Sequence, residues 1–148
     1  MECLKVSQGF KIVGVKGSGA YANFNTQIPK AAQQILKRAS EIENSSGTEI
    51  AIFEPKKDEN HLEGSYYVGM IVNQAPTELP MGMDYIELDY DYVTTKGNIN
   101  DIGNLHNKLL KWAHDKGYKR NLEQYNVETY HPLENGEEEV GIYLPVHP

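Results

Sequence analysis

Apolar positions recur at helical spacing in two places along the chain. Ile28, Ala31, Ala32, Ile35, Leu36, Ala39 and Ile42 follow the i, i+3, i+4, i+7 rule of a one-faced helix. Asn25 or Thr26 can cap its start, Pro29 suits a first turn, and Gly47 ends it after Asn44-Ser45-Ser46. Ile102, Leu105, Leu109, Trp112 and Ala113 form a second stripe, with Asn98 or Asn100 as cap and Gly117 as stop. The spacing predicts two helices of about four to five turns each.

Strand patterns fill most of the remainder. Phe10–Lys16 is apolar and β-branched, with Gly14 marking a bulge or a close approach. Ile50–Phe53 and Tyr66–Asn73 are short apolar runs, and Ile86–Tyr92 alternates strictly between apolar and acidic positions. Val127–Tyr130 and Glu139–Val146 complete the set, joined through the hairpin dipeptide Asn135-Gly136.

The order repeats. Strand, Lys16-Gly17, helix, strand, polar loop, strand in the first half answers strand, Lys96-Gly97, helix, strand, polar loop, strand in the second. This predicts an α+β fold: a tandem repeat of two β-α-β-β units, about 5–75 and about 81–148, forming a curved antiparallel sheet with two long helices on one face. One helix and three strands bury too little alone, so the units are expected to pack as one domain, 1–148, with a ligand pocket between the repeats. The stretch 117–126 is extra in the second half.

Charge narrows the classes of partner. Lys and Arg number 14 against 21 Asp and Glu, a formal net charge of −7, which excludes the basic face that direct nucleic-acid binding needs. The first 20 residues hold no continuous apolar stretch, and no segment approaches the ~18–20 apolar residues of a membrane span, so a cytoplasmic protein with no membrane partner is expected. The lone Cys3 cannot form an internal disulfide. The aromatic content is dominated by 10 Tyr, beside 3 Phe and 1 Trp, and tyrosine's apolar ring with a polar tip suits an amphipathic pocket as well as a core.

Alternation in Val127-Glu128-Thr129-Tyr130 sets Glu128 and Tyr130 on one face. In the last strand Val140, Ile142 and Leu144 share a face, opposite Glu139, Gly141 and Tyr143. If that aliphatic set packs under the helices, Glu128, Tyr130 and Tyr143 line the opposite, concave face together. A carboxylate among rings holds an amphipathic cation through cation–π attraction and counter-charge. A solvated Glu128 with cross-strand tyrosines is the plainer reading, and spacing alone favours it.

The same residues carry a resemblance. Val127-Glu128-Thr129-Tyr130-His131-Pro132 followed by Gly141-Ile142-Tyr143-Leu144-Pro145-Val146 resembles the C-terminal signature of the GyrI-like small-molecule-binding family. These are effector-binding domains of AraC-type and MerR-type multidrug-responsive activators, found also as stand-alone proteins. Phe10–Val15, Gly19-Ala20-Tyr21 and Leu109-x-x-Trp112 fit the same pattern, so the resemblance covers nearly the whole chain. It implies a stand-alone protein that captures lipophilic, cationic or amphipathic compounds for xenobiotic sensing or sequestration. Glu128 would be the buried acid, with Tyr130, Tyr143, Trp112, Tyr67 and Tyr21 as ligand-binding positions. Family members often carry a second acid two residues before the last-strand tyrosine; Gly141 stands there, which implies a less negative pocket.

Two alternatives follow from relatives of the same family. Some resemble hydrolases that open cyclopropyl rings of DNA-alkylating natural products; Glu128 would then be the acid or base, with Tyr67, Tyr130 or Tyr143 supplying a hydroxyl. Others resemble gyrase inhibitors, so a protein partner is possible, and the acidic run Glu134–Glu139, read first as a solvated hairpin tip, is the candidate patch. Gly14-x-x-Gly17-x-Gly19 lacks the dinucleotide fingerprint, and the histidines lack metal-ligand spacing, so no cofactor and no metal are expected.

Overall fold

Alternate residues along every strand sort the apolar side chains into two sets, and closure of the sheet decides where each set goes. The computed structural model describes residues 2–148. In chain order it contains β1 (Leu4–Ala20), α1 (Phe24–Lys37), β2 (Ser45–Phe53), β3 (Glu63–Val72), β4 (Asp84–Asn98), α2 (Ile102–Asp115), β5 (Asn126–Pro132) and β6 (Glu138–Pro145). The strands close into an antiparallel barrel in the order β1-β3-β2-β5-β6-β4, so the curved sheet expected from the sequence has no free edge.

Strand β1 makes the closure. Its first half pairs with β4, from Leu4↔Thr94 to Gly14↔Asp84, and its second half with β3, from Ile12↔Ile71 to Ala20↔Glu63. The ladder satisfies backbone groups whatever the side chains are, so β1 runs well beyond the apolar stretch Phe10–Lys16. Gly14 sits opposite Gly69, where a Cβ on Gly69 would run into the Val13 carbonyl, which is the close approach its position suggested.

The outward set lies under the helices. Val13, Ala51, Val68, Met70, Val93, Val140, Ile142 and Leu144 form one core with Ile28 and Ile35 of α1 and Leu105 and Leu109 of α2. Each such aliphatic side chain, fully buried, is worth roughly 1.5–3 kcal/mol. The inward set fills the barrel: Phe10, Ile12, Ile50, Ile52, Leu88, Tyr92 and Val127. Phe10, Tyr92 and Tyr143 meet edge to face there, with ring centroids 5.1–5.9 Å apart. Tyr67, Tyr90 and Tyr125 pack against the same cluster. Much of the tyrosine excess therefore belongs to the barrel interior.

The helix ends differ from expectation. Helix α1 begins at Phe24, ahead of Asn25 and Thr26, because Phe24 is buried against the rings of Tyr21, Phe53 and Tyr66. Pro29 thus falls inside the helix rather than in its first turn. The helix stops at Lys37; Ile42 is still buried, carried there by the short 3-10 turn Ala39–Glu41. Gly47, at φ +86°, lies in the irregular start of β2, where the pairing with β3 shifts between Ser45 and Glu49. Helix α2 ends as predicted: Gly117 takes φ +82° and the Tyr118 N–H donates to the Ala113 carbonyl at 2.9 Å. The Asn98 side chain accepts from the Asn100 N–H and caps the 3-10 turn that leads into it. Among the described residues no helix is long and apolar enough to cross a membrane.

Candidate functional site

Strands β2 and β5 lie side by side at the middle of the barrel order, and their register assembles a floor. Glu49 pairs with Tyr130, Ala51 with Glu128 and Phe53 with Asn126. Alternation turns Glu49, Ala51, Phe53, Glu128 and Tyr130 outward, toward the helices. Helix α1 stands on one side of this floor and α2 on the other, and the cleft between them has a volume of about 950 Å³. That is ample for a drug-sized molecule, since such sites run from about 300 to 1,000 Å³.

The walls are apolar. Phe24, Ile28 and Leu36 contribute from α1, Ile102 from α2, and Ile99 from the turn before it. The Phe53 ring lies 6.4 Å from both Phe24 and His106, measured between centroids. Pro29 has no N–H, so the Asn25 carbonyl lacks its usual helical donor, and both residues border the cleft.

Against these walls stands a concentration of acid. Glu128 is 8% exposed; its Oε1 accepts from the Tyr130 hydroxyl at 2.7 Å, and its Oε2 lies 2.7 Å from His106 Nε2. Burial and the neighbouring Glu128, with Glu49 and Glu138 beyond it, hold the Tyr130 hydroxyl well above the usual phenol range, so it remains a donor. Burial, then the nearby Glu138, push the Glu49 carboxyl above the usual carboxylate range. Glu137 and Glu138 of the β5–β6 hairpin close the rim, and no lysine or arginine lines the cleft. A unit cation about 4 Å from a carboxylate gains roughly 1 kcal/mol in bulk water but about 4 kcal/mol where the effective dielectric is near 20.

The residues expected to form the site divide between the two faces of the sheet. Glu128 and Tyr130 are in the cleft. Tyr143 is not: β6 pairs Ile142 with Glu128 and Tyr143 with Val127, which sends Tyr143 into the barrel. The aliphatic set of β6 does pack under the helices, but Glu128 and Tyr130 share its face rather than opposing it. Tyr67 also points inward, its hydroxyl 3.4 Å from Asp84 Oδ2 and its ring against Tyr125. Trp112 packs against Tyr118 at 5.7 Å, away from the cleft lining. Tyr21 donates to the Glu54 carbonyl at 2.9 Å and touches the site only through Phe24. Of the tyrosines named beside Glu128 for a hydrolase, Tyr130 alone lies on its face of the sheet and bonds to it, while Tyr67 and Tyr143 point into the barrel.

Gly141 pairs with Thr129 on the inward face, where a Cβ would sit 2.6 Å from Thr129 Oγ1. Its lack of an acid removes no charge from the cleft, because the position does not face it. The acidic run is likewise corrected: Glu137 and Glu138 turn into the cleft rim instead of forming a wholly solvated tip.

The contributors not singled out in the sequence as site residues include Glu49, Phe53 and His106. Glu49 was legible in part, as an acid in phase with Ala51 and Phe53 at the start of the apolar run Ile50–Phe53. A second, polar cleft of about 290 Å³ lies between Glu54, Lys57, Ser65 and Glu123–Tyr125. Among the described residues no three or more His, Cys, Asp or Glu are grouped to hold a metal ion.

Comparison with known proteins places this geometry. The family Cass2, integron-associated effector-binding proteins, matches residues 5–146. No curated protein matches the chain in sequence. Among solved structures, SAV2435 bound to tetraphenylphosphonium aligns at a TM-score of 0.73 and 14% identity, over 99% of this chain and 94% of that one. An integron cassette protein from the mobile metagenome of Vibrio cholerae aligns at 0.66 and 15% identity, covering 98% and 95%. The C-terminal domain of EcmrR aligns at 0.66 and 13% identity, covering 99% and 97%. At such identities the likeness speaks to the fold.

Proposed function

The chain belongs to the integron-associated effector-binding proteins and has a GyrI-like fold, and from that premise we propose that it captures lipophilic organic cations in the cleft between α1 and α2. The observation that carries this reading is Glu128, buried at the base of an apolar cleft whose other charged lining residues are three carboxylates and a histidine. Rings and aliphatic walls supply dispersion and desolvation, and the carboxylates supply the counter-charge. The chain's own partners are then small molecules, held for xenobiotic sensing or sequestration.

The order β-α-β-β occurs twice, and the two sets of strands meet along β2–β5 and along β1–β4. This accords with a tandem repeat in one domain, with the cleft between the repeats.

Titration with tetraphenylphosphonium and with a neutral triphenyl compound of similar size tests the proposal. Cation binding that weakens at least tenfold in Glu128→Gln, with the neutral compound unaffected, supports it. Equal losses for both compounds, or no cation binding by the wild-type chain, sink it.

A further inference from the structure

The Glu128 carboxylate is not vacant. Tyr130 holds Oε1 and His106, reaching down from α2, holds Oε2. Resting on the cation-capture reading above, we propose that His106 is a built-in competitor for the ligand's charge, so that the cleft takes up an organic cation by expelling a proton. His106 thereby becomes a specificity-determining residue that makes capture pH-dependent.

The chemistry is set by the contact. With Glu128 ionised its oxygens only accept, so the 2.7 Å approach then puts a hydrogen on Nε2 in either charge state of the ring. The proton that comes and goes is then the one on Nδ1. With it, the imidazolium neutralises Glu128 and repels an incoming cation. Without it, the imidazole still donates through Nε2 and the pair carries a net negative charge for the ligand. Binding therefore converts imidazolium plus ligand cation into neutral imidazole, bound cation and one proton released to solvent. Imidazole is the side chain whose ordinary titration falls between about pH 5 and 8. Linkage requires that a ligand which expels a proton bind more tightly as pH rises.

The surroundings leave no other cation in that role. Facing His106 are Glu128 from β5, with Tyr130 bonded to it, Glu49 and the Phe53 ring from β2, and Glu137 and Glu138 from the β5–β6 hairpin. Helix α1 presents only the amides of Asn25 and Gln33 as polar groups. On α2 and the turn before it, Lys108 and Asp101 lie outside the cleft lining. His106 keeps 24% of its side chain exposed, enough to exchange a proton with water. Glu49 could imitate the effect, since its raised carboxyl also gains a proton as pH falls.

Tetraphenylphosphonium affinity from pH 5.5 to 8, for the wild-type chain, His106→Gln and Glu49→Gln, separates these roles. The expected result is affinity that rises with pH by up to about tenfold per unit in the wild-type chain, the limit for one linked proton. His106→Gln should be nearly flat and match the wild-type pH 8 value at pH 5.5, while Glu49→Gln should keep the slope. Calorimetry in buffers of different ionisation enthalpy should find up to one proton released. In the wild-type chain, the His106 ring resonances should titrate at lower pH once the cation is saturating. A flat wild-type profile, or a slope that survives in His106→Gln, overturns the role of His106 while leaving cation capture standing. Absence of binding at every pH removes both.

Discussion

The hydroxyl of Tyr130 donates to Oε1 of Glu128 at 2.7 Å, between residues two apart on one strand. Alternation guarantees that the pair shares a face, and the β2–β5 register places that face under both helices. Removing the hydroxyl leaves a buried carboxylate short of a donor. Tyr130→Phe should destabilise the protein by about 1–3 kcal/mol, read from the midpoint of urea unfolding. An unchanged midpoint would mean that water replaces the donor.

The pH dependence of stability has a sign that Glu49 sets. Its folded carboxyl titrates above the ordinary value of 4.5, through burial first and Glu138 second. Between these two values the folded chain binds the proton more tightly than the unfolded one, so this residue's contribution falls as pH rises. Glu49→Gln should raise stability at neutral pH and remove that part of the decline above pH 4.5. Urea unfolding at pH 4.5–7 measures it; parallel curves for both proteins would refute the assignment.

Gly141 offers a test of which face matters. Gly141→Ala places a Cβ 2.6 Å from Thr129 Oγ1, inside the barrel. Overpacking of this kind costs about 1–3 kcal/mol. Thermal unfolding should show the loss, and adding Thr129→Ala should recover most of it. Cation affinity should not change in either protein. A change in affinity without a change in stability would put Gly141 in the cleft after all.

The parts of the fold that were legible depend on one segment at a time. The stripes Ile28-Ala32-Ile35 and Leu105-Leu109-Ala113 are buried as their spacing predicts, and Gly117 stops α2. Glu128 and Tyr130 share a face as predicted, because two residues of one strand settle their own relation. What could not be read was the relation between segments. Glu128 and Tyr130 were expected beside Tyr143, but the register of β5 and β6 pairs Glu128 with Ile142 and so sets them on the opposite face; a shift of one residue exchanges the faces. His106 has meaning only once α2 crosses above Glu128, and nothing in the helix itself signals that crossing. The ends of β1 and β4 lie in polar sequence, where the backbone ladder and not hydrophobic pattern extends the strand.

The barrel's two long-range seams bear on how the chain reaches its native state. Leu4 must find Thr94 to close the sheet, and Ala51 must find Glu128 to complete the cleft floor. Pairings so distant in sequence slow folding, because a long loop is closed before its contacts contribute. The first helix and strands β1–β3 can meet early, yet they contain no finished binding surface. A cation captured at Glu128, as proposed, would therefore not chaperone early intermediates. It would act only on the completed barrel, drawing the population toward it by mass action.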